Sequence, residues 1–320
     1  MRKIIKYSTL TLALLFLGCT KLTPMLPSDP KIDKSQTQYS AIRDDINSMV
    51  SVFYGKPINI IVDGIENKTK ARAELPANIS DVVNIAFNEI GENVNTIANP
   101  DMVGGYKQVY IIHGAITEFD VMEERNSGLN TDIEGGNGRG QWTTSGELGR
   151  ESKITNMTII FNPEDINKGS FIPKSSTSNR ITIYQKSNAN EFGFFIFGSG
   201  FGSNQSITKS QGIHSSIAVL VDLSVAEVLG KVAKFPYWLL TKGKVNEYLL
   251  NQLTEKFLDD KLNQKLYKIS YLLALQDSSV QPTRVMTPAL EIAIKSYKKT
   301  HGMRENLHFT QEFYRSLLGG

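Results

Sequence analysis

Cysteine is all but missing from this chain: one residue, Cys19, stands in 320. A single thiol excludes both an internal disulfide and a thiolate metal cluster, so neither can brace the fold. Histidine is nearly as scarce, and His113, His214, His301 and His308 are too scattered to preform a metal site. His301 and His308 share a helix face only if no turn divides them, and Gly302 intervenes. A surplus of one charge is also absent, with 35 Lys+Arg against 32 Asp+Glu, a net +3. Three of those cations, Arg2, Lys3 and Lys6, lie in a segment read below as a removed leader, which leaves 32 against 32. A neutral chain lacks the dense cationic face that a phosphate backbone demands, so nucleic acid is not expected as a partner. Past the N-terminus, no window approaches the ~20 apolar residues of a transmembrane helix.

The usual marks of catalysis are missing as well. Gly135-Gly-Asn-Gly-Arg-Gly140 and Gly198-Ser-Gly-Phe-Gly202 do not join a buried strand to a helix start, and neither ends in Gly-Lys-Ser/Thr, so they read as turns or strand glycines. No Gly-x-Ser-x-Gly elbow exposes a nucleophilic serine. Glu118, Asp120, Glu123 and Glu124 stand at the mouth of a glycine-rich segment and read as solvated charge rather than an acid–base pair. Neither a cofactor nor an enzymatic activity is expected.

What is present begins at the N-terminus. Met1-Arg-Lys-Ile-Ile-Lys6 is a cationic start, followed by a short apolar run from Leu10 to Leu17. This is a secretory signal, too short to remain as a membrane span. It stops at Leu15-Phe16-Leu17-Gly18-Cys19, which resembles a bacterial lipoprotein box. That resemblance implies cleavage after residue 18 and a diacylglycerol on Cys19, with Phe16 standing where an aliphatic residue is usual. Acyl chains contribute ~0.8 kcal/mol per buried methylene, enough for stable anchoring. The residue after Cys19 is Thr20 rather than aspartate, and the resemblance to sorted lipoproteins implies the outer membrane, facing the periplasm. The Pro-, Lys-, Ser- and Asp-rich segment 19–39 reads as an acylated tether.

With 40 % hydrophobic residues the chain can bury a real core, and its length calls for two or more modules. Ile42, Ile46, Met49, Val50 and Phe53 predict an amphipathic helix over 40–54, and Ile58 to Asp63 a buried strand. After the polar segment Glu66 to Pro76, Ser80 and Asp81 can cap a helix with Val82, Val83, Ile85, Ala86, Phe87 and Ile90 as its apolar stripe. Val109 to Phe119 is a long strand, and 153–161, 179–185 and 192–201 are strand-like. Helical periodicity returns from Ile213 through Ile217, Leu220, Val221, Val225, Val228, Leu229 and Val232, ending near Pro236. Past Gly243 the composition shifts to Lys, Leu, Asn and Gln, with Tyr248, Leu249, Leu253 and Phe257 on one helical face. No internal repeat is found.

In this order the elements of 40–242 resemble the CsgG/HfaB family of outer-membrane lipoproteins, which includes the curli secretion channel. The resemblance rests on Ile58 to Asn67, Ser80 to Ile90, Tyr110 to Phe119 with its hydrophobic-Gly-x-Ile pattern, Lys153 to Phe161, Arg180 to Phe201 and the helix from Ile213. It implies an α+β chain in which a periplasmic α/β domain forms a ring. Two long β-hairpins per copy would build one shared transmembrane barrel: Ala115–Asp132 with Asn137–Phe161, and Phe171–Asn188 with Asn190–Ile207. Four strands cannot close a barrel alone, so a pore requires a homo-oligomer. Glu123, Glu124, Arg125, Arg139, Glu147, Arg150 and Glu151 in the first hairpin are tolerable only facing a lumen or outside the hydrocarbon, which leaves open a ring without a complete pore. By the same resemblance Glu66 to Pro76 lies nearest the ring axis, with Asn67, Thr69 and Arg72 as lining candidates. An ordinary exposed loop is the alternative.

Residues 243–320 resemble an all-α peptidoglycan-binding three-helix domain, through Ile269 to Leu275, the threonine-led Thr287 to Gly302, and Phe309 to Leu318. Tyr297 replaces the usual phenylalanine and Lys298 the usual glutamine. A plain helical bundle is the alternative. On the helix from Pro288, Leu290, Ile294 and Tyr297 should be buried, leaving Lys295, Lys298 and Lys299 solvated. With Arg284, His301 and Arg304 these would contact the wall peptides' carboxylates, and the segment is expected to fold as a separable unit. The two functional readings are a ring-forming subunit of a secretion or surface-assembly channel, and an envelope scaffold that grips peptidoglycan without forming a pore.

Cys19→Ala should yield an unprocessed or soluble periplasmic product, as read by membrane fractionation. An unassembled monomer of the variant that still sediments with the outer membrane would contradict the anchor.

Overall fold

A computed structural model of the chain describes residues 36–69, 75, 77–125, 133–135, 142–144, 151–186, 192–198, 208–210 and 213–320. The leader, Cys19, most of the tether, Arg72, Arg139, Glu147 and Arg150 lie outside the described residues.

The fold is mixed α+β. After helix α1 (Gln36–Met49) and a π-turn (Val50–Tyr54) come strand β1 (Ile58–Asn67), helix α2 (Ser80–Asn88) and the short β2 (Val94–Thr96). Strands β3 (Val109–Arg125), β4 (Ile133–Gly135), β5 (Trp142–Thr144), β6 (Glu151–Asp165), β7 (Ser170–Phe171), β8 (Thr177–Lys186), β9 (Phe192–Gly198) and β10 (Thr208–Ser210) follow. Helices α3 (Ile213–Ala233), α4 (Trp238–Thr241), α5 (Glu247–Asp259), α6 (Leu262–Ala274), α7 (Pro288–Thr300) and α8 (Gln311–Leu317) complete the chain.

One sheet runs in the order β10-β9-β8-β6-β3-β1-β2, with β7 on β6, while β4 and β5 pair separately. β1 is parallel to β2 and β3 because α2 carries the chain back over the sheet; all later pairings are antiparallel. Two hairpin pairings stand within the expected segments, except that Phe171 pairs with Glu164 of β6 and β8 begins only at Thr177. β3 and β6 pair from Tyr110↔Asp165 to Arg125↔Glu151, and β8 and β9 from Asn179↔Gly198 to Gln185↔Phe192. The strands are longer than their apolar runs: β3 continues past Phe119 to Arg125 because backbone pairing with β6 sustains it where side-chain patterning lapses. Gly114 is required in this ladder, since a Cβ there would meet the Ile160 carbonyl oxygen at 2.6 Å and the Phe161 ring at 2.7 Å.

Helix α3 lies at the centre. Its seven expected apolar positions are all buried, and so is every residue from Leu220 to Ala233. It ends earlier than expected, at Ala233, where Lys234 turns left-handed (φ 58°). Gly230 lets Tyr237 fold back on the helix, for a Cβ there would lie 2.5 Å from the Tyr237 ring.

A helix buried on all sides carries its polar residues into the core, and each is matched. Glu227 pairs with Lys231 at 2.7 Å and accepts from Asn179 of β8 at 2.9 Å; Lys231 also donates to the Ser176 carbonyl at 2.7 Å. Asp222 takes two hydrogen bonds from Arg43 of α1, at 2.9 and 3.1 Å, and Arg43 also pairs with Glu89 just after α2. Thus α1, α2 and β8 are all fastened to α3 through charge.

Residues 243–320 do not pack as a detached unit: Gln36–Gly320 is one compact body with a continuous apolar core. Trp238 Nε1 donates to the Leu318 carbonyl at 2.7 Å, and Lys256 Nζ to the Phe53 carbonyl at 3.3 Å. The expected three-helix pattern is present, with Thr287 and Thr310 capping α7 and α8 through side-chain bonds to Leu290 N and Phe313 N. Two expected stripes are only partly buried. Tyr248 faces outward beneath Lys174 Nζ, 4.0 Å from its ring, and Val82 and Ile85 stay exposed while Val83, Ala86, Phe87 and Ile90 are buried. Each helix buries one side against the core, and an apolar residue off that side stays exposed.

Arg43→Met should strand the Asp222 carboxylate, 7 % exposed, without its guanidinium. Removing one partner of a buried pair costs about 3 kcal/mol. Burial already raises the Asp222 pKa, against the pull of Arg43. A raised folded-state pKa contributes stability below the unfolded value and loses it as pH rises through the folded one. The variant's deficit should therefore shrink as pH falls from 7 toward 4.5 in urea titrations (about those bounds); a pH-independent deficit would contradict the pairing.

Candidate functional site

Strand alternation gives the sheet two unlike faces. One is the apolar face packed under α3, with Ile112, Ile116, Met157, Ile159, Phe161 and Ile181 all buried. On the other, β1, β3, β6 and β8 align polar side chains across the strands. His113 bridges two carboxylates, Nδ1 to Asp63 Oδ2 at 3.0 Å and Nε2 to Glu164 Oε2 at 2.9 Å, with the Phe171 ring edge-on at 5.6 Å. Further along, Glu118 accepts from Thr158 Oγ1 at 2.5 Å and pairs with Arg180, and Thr182 donates to Asn156 Oδ1 at 2.6 Å. A shift in register between Ile116 and Glu118 brings even-numbered residues of β3 onto this face beyond His113.

His113 was only one of four scattered histidines in the sequence, and its partners are 50 and 51 residues away. No local signal announces them; only strand register does. Glu118 departs from its reading as solvated charge, since it is held by Thr158 and Arg180, whereas Asp120 is exposed. For Glu123 and Glu124 only the backbone is described. Among the described residues no group of three or more His, Cys, Asp or Glu is arranged to hold a metal ion, and no helix is long and apolar enough to cross a membrane.

Asn67 and Thr69 sit together where β1 leaves the sheet. Asn67 Oδ1 accepts from Thr69 N at 2.9 Å and from Thr69 Oγ1 at 2.6 Å, and Asn67 N donates to the Ala77 carbonyl at 2.9 Å. The loop base is thus a fixed polar turn, from which Arg72 lies three residues on, outside the described residues.

The six C-terminal candidates are not one surface. Lys299, His301 and Arg304 are exposed around the turn after α7, with His301 stacked on Tyr297 at 3.9 Å between ring centres. Gly302 makes that turn with φ 69°. Lys295 lies a turn earlier and pairs with Glu291 at 2.6 Å. Arg284 precedes the helix at its other end and lies over the Tyr267 ring, 4.3 Å from its centre. Lys298 is the clear correction: it is 2 % exposed rather than solvated. Its ammonium donates to the Asn306 carbonyl (2.9 Å), Asn306 Oδ1 (3.0 Å) and the His308 carbonyl (2.6 Å), beside the Phe313 ring. The loop from His301 to Thr310 folds back over α7 and needs a cation for its inward carbonyls; desolvation there lowers the Lys298 pKa.

No protein-family model and no curated protein matches the chain. Solved structures that match include a PelC dodecamer from Paraburkholderia phytofirmans, at 13 % identity and TM-score 0.24, over 55 % of this chain and 89 % of that one. A likeness of that size leaves function to be argued from this chain's own residues.

Lys298→Met should cost about 1–3 kcal/mol by leaving buried carbonyls unpaired, whereas Lys299→Met should stay within about 0.5 kcal/mol. Chemical unfolding of both variants compares them; equal, small effects would refute the structural role of Lys298.

Proposed function

We propose that this protein is a lipid-anchored, non-catalytic subunit of a homo-oligomeric outer-membrane assembly that exports or builds a surface structure. The observation that carries this reading is the pair of antiparallel hairpins, β3/β6 and β8/β9, joined as neighbours in one sheet. Each copy thereby offers a continuous four-stranded ribbon. Such a ribbon cannot close on itself, and closure with ribbons of other copies is the way a sheet of this kind removes its edges within a bilayer. The charged residues of the first hairpin would then face an aqueous lumen. Asn67 and Thr69, fixed by their turn, and Arg72 would line the narrowest ring of the periplasmic part. Cys19 would hold each copy to the membrane from the periplasmic side.

The second reading, a scaffold without a pore, draws on the cationic turn after α7. Lys299, His301 and Arg304 are exposed there and suit the peptide carboxylates of peptidoglycan. Lys295 would join them only by leaving Glu291, and Arg284 would contribute from a separate place.

Planar-bilayer conductance separates the two readings. A channel should give discrete conductance steps and show residues 113–207 protected from protease only when membranes are present. A scaffold should give no conductance and equal digestion with and without membranes, and that outcome would reject the pore.

A further inference from the structure

Two exposed apolar spots in this chain carry opposite charge around their rims. On α2, Val82 is 37 % and Ile85 is 55 % exposed, and their spacing of three places them on one outward face. That face is bordered by Asp81 at its start and by Glu89 and Glu92 at its end, all exposed. The nearby cation, Arg43, is already shared between Glu89 and the buried Asp222, so the rim stays acidic. On and before α7, Val285 is 63 %, Met286 37 % and Ile292 69 % exposed. Arg284 stands at its start and Arg304 beyond its end; Lys295 pairs with Glu291 at 2.6 Å and Lys299 with Glu305 at 4.0 Å, which leaves the two arginines as surplus positive charge around it.

We propose that the outer face of α2 in one copy docks on the outer face of α7 in the next, head to tail. The occupant of each spot is a second copy of this chain. This deepens the assembly proposed above and rests on it. Charge selects the arrangement. Docking α2 on α2 would oppose two acidic rims, and α7 on α7 two basic ones, whereas α2 on α7 places opposite charges around a shared apolar centre. The two patches differ, so the contact is heterologous, and repeating it gives a closed ring where the rotation closes. Among the described residues α2 packs on α3, β1 and β2, and α7 on α6, while Val82, Ile85 and Ile292 stay exposed.

The test uses full-length protein extracted in detergent, with Ile85→Cys and Ile292→Cys as cross-linking sites. The double variant should give a ladder of disulfide-linked multimers on oxidation. The two single variants should give a dimer when mixed and none when oxidised separately. Asp81→Lys with Glu92→Lys should abolish the ladder of the double variant, and adding Lys299→Glu with Arg304→Glu should restore at least half of it. A dimer from either single variant alone, or no ladder from the double variant, would overturn the proposal. Mass measurement of the unmodified protein separates the two levels: a large assembly without the 85–292 cross-link removes this interface and spares the ring, while a monomer removes both.

Discussion

A helix with no exposed face must have every polar group answered from neighbouring elements, and α3 imposes that condition on the rest of the molecule. Asp222, Glu227 and Lys231 project from its different sides into the interior. Arg43 answers Asp222 and brings α1; Asn179 and the Ser176 carbonyl answer the Glu227–Lys231 pair and bring β8. A buried charge left unpaired costs several kcal/mol, whereas an apolar contact can slide at little cost. The charged contacts therefore set the relative positions of the elements, and the aliphatic side chains fill the space between. Asn179 illustrates how tightly: its neighbour in the ladder is Gly198, where a Cβ would run into the Asn179 side chain.

Helix α3 covers one face of the sheet; on the other, a small buried cluster of Ile61, Ile97 and Val109 lies beside a polar stretch, and that stretch has a consequence for function. In it polar residues hold one another in place, with His113 between Asp63 and Glu164, and Glu118 between Thr158 and Arg180. A polar stretch of this kind can stand beside water without aggregating. The sheet's hairpins are then available to pair with others of the same kind, and the assembly proposed here uses that property.

The elements were readable from the sequence wherever packing demanded periodicity. The seven apolar residues of α3, Leu249, Leu253 and Phe257 of α5, and Leu290, Ile294 and Tyr297 of α7 are all buried as their spacing implied. Threonine-led α7 was legible because a cap is a local, chemical event, whereas the Thr310 cap of α8 was not singled out. Long-range pairing was not legible. Nothing near His113 announces Asp63 or Glu164, and nothing near Lys298 shows that the loop to Thr310 would close over it. Val82 and Ile85 depart for a different reason: they share the apolar stripe of α2, but the helix buries only the side of Val83, Ala86, Phe87 and Ile90. The break at residue 243 reflects a change of composition and element type, and the core runs across it because Trp238, Phe53 and Lys256 reach over it.

As proposed above, this chain works as many copies in one membrane-attached assembly. Electron microscopy of the full-length protein, extracted from outer membranes in mild detergent, tests it most directly. The account predicts closed rings with a central opening; particles no larger than monomers or dimers would contradict it.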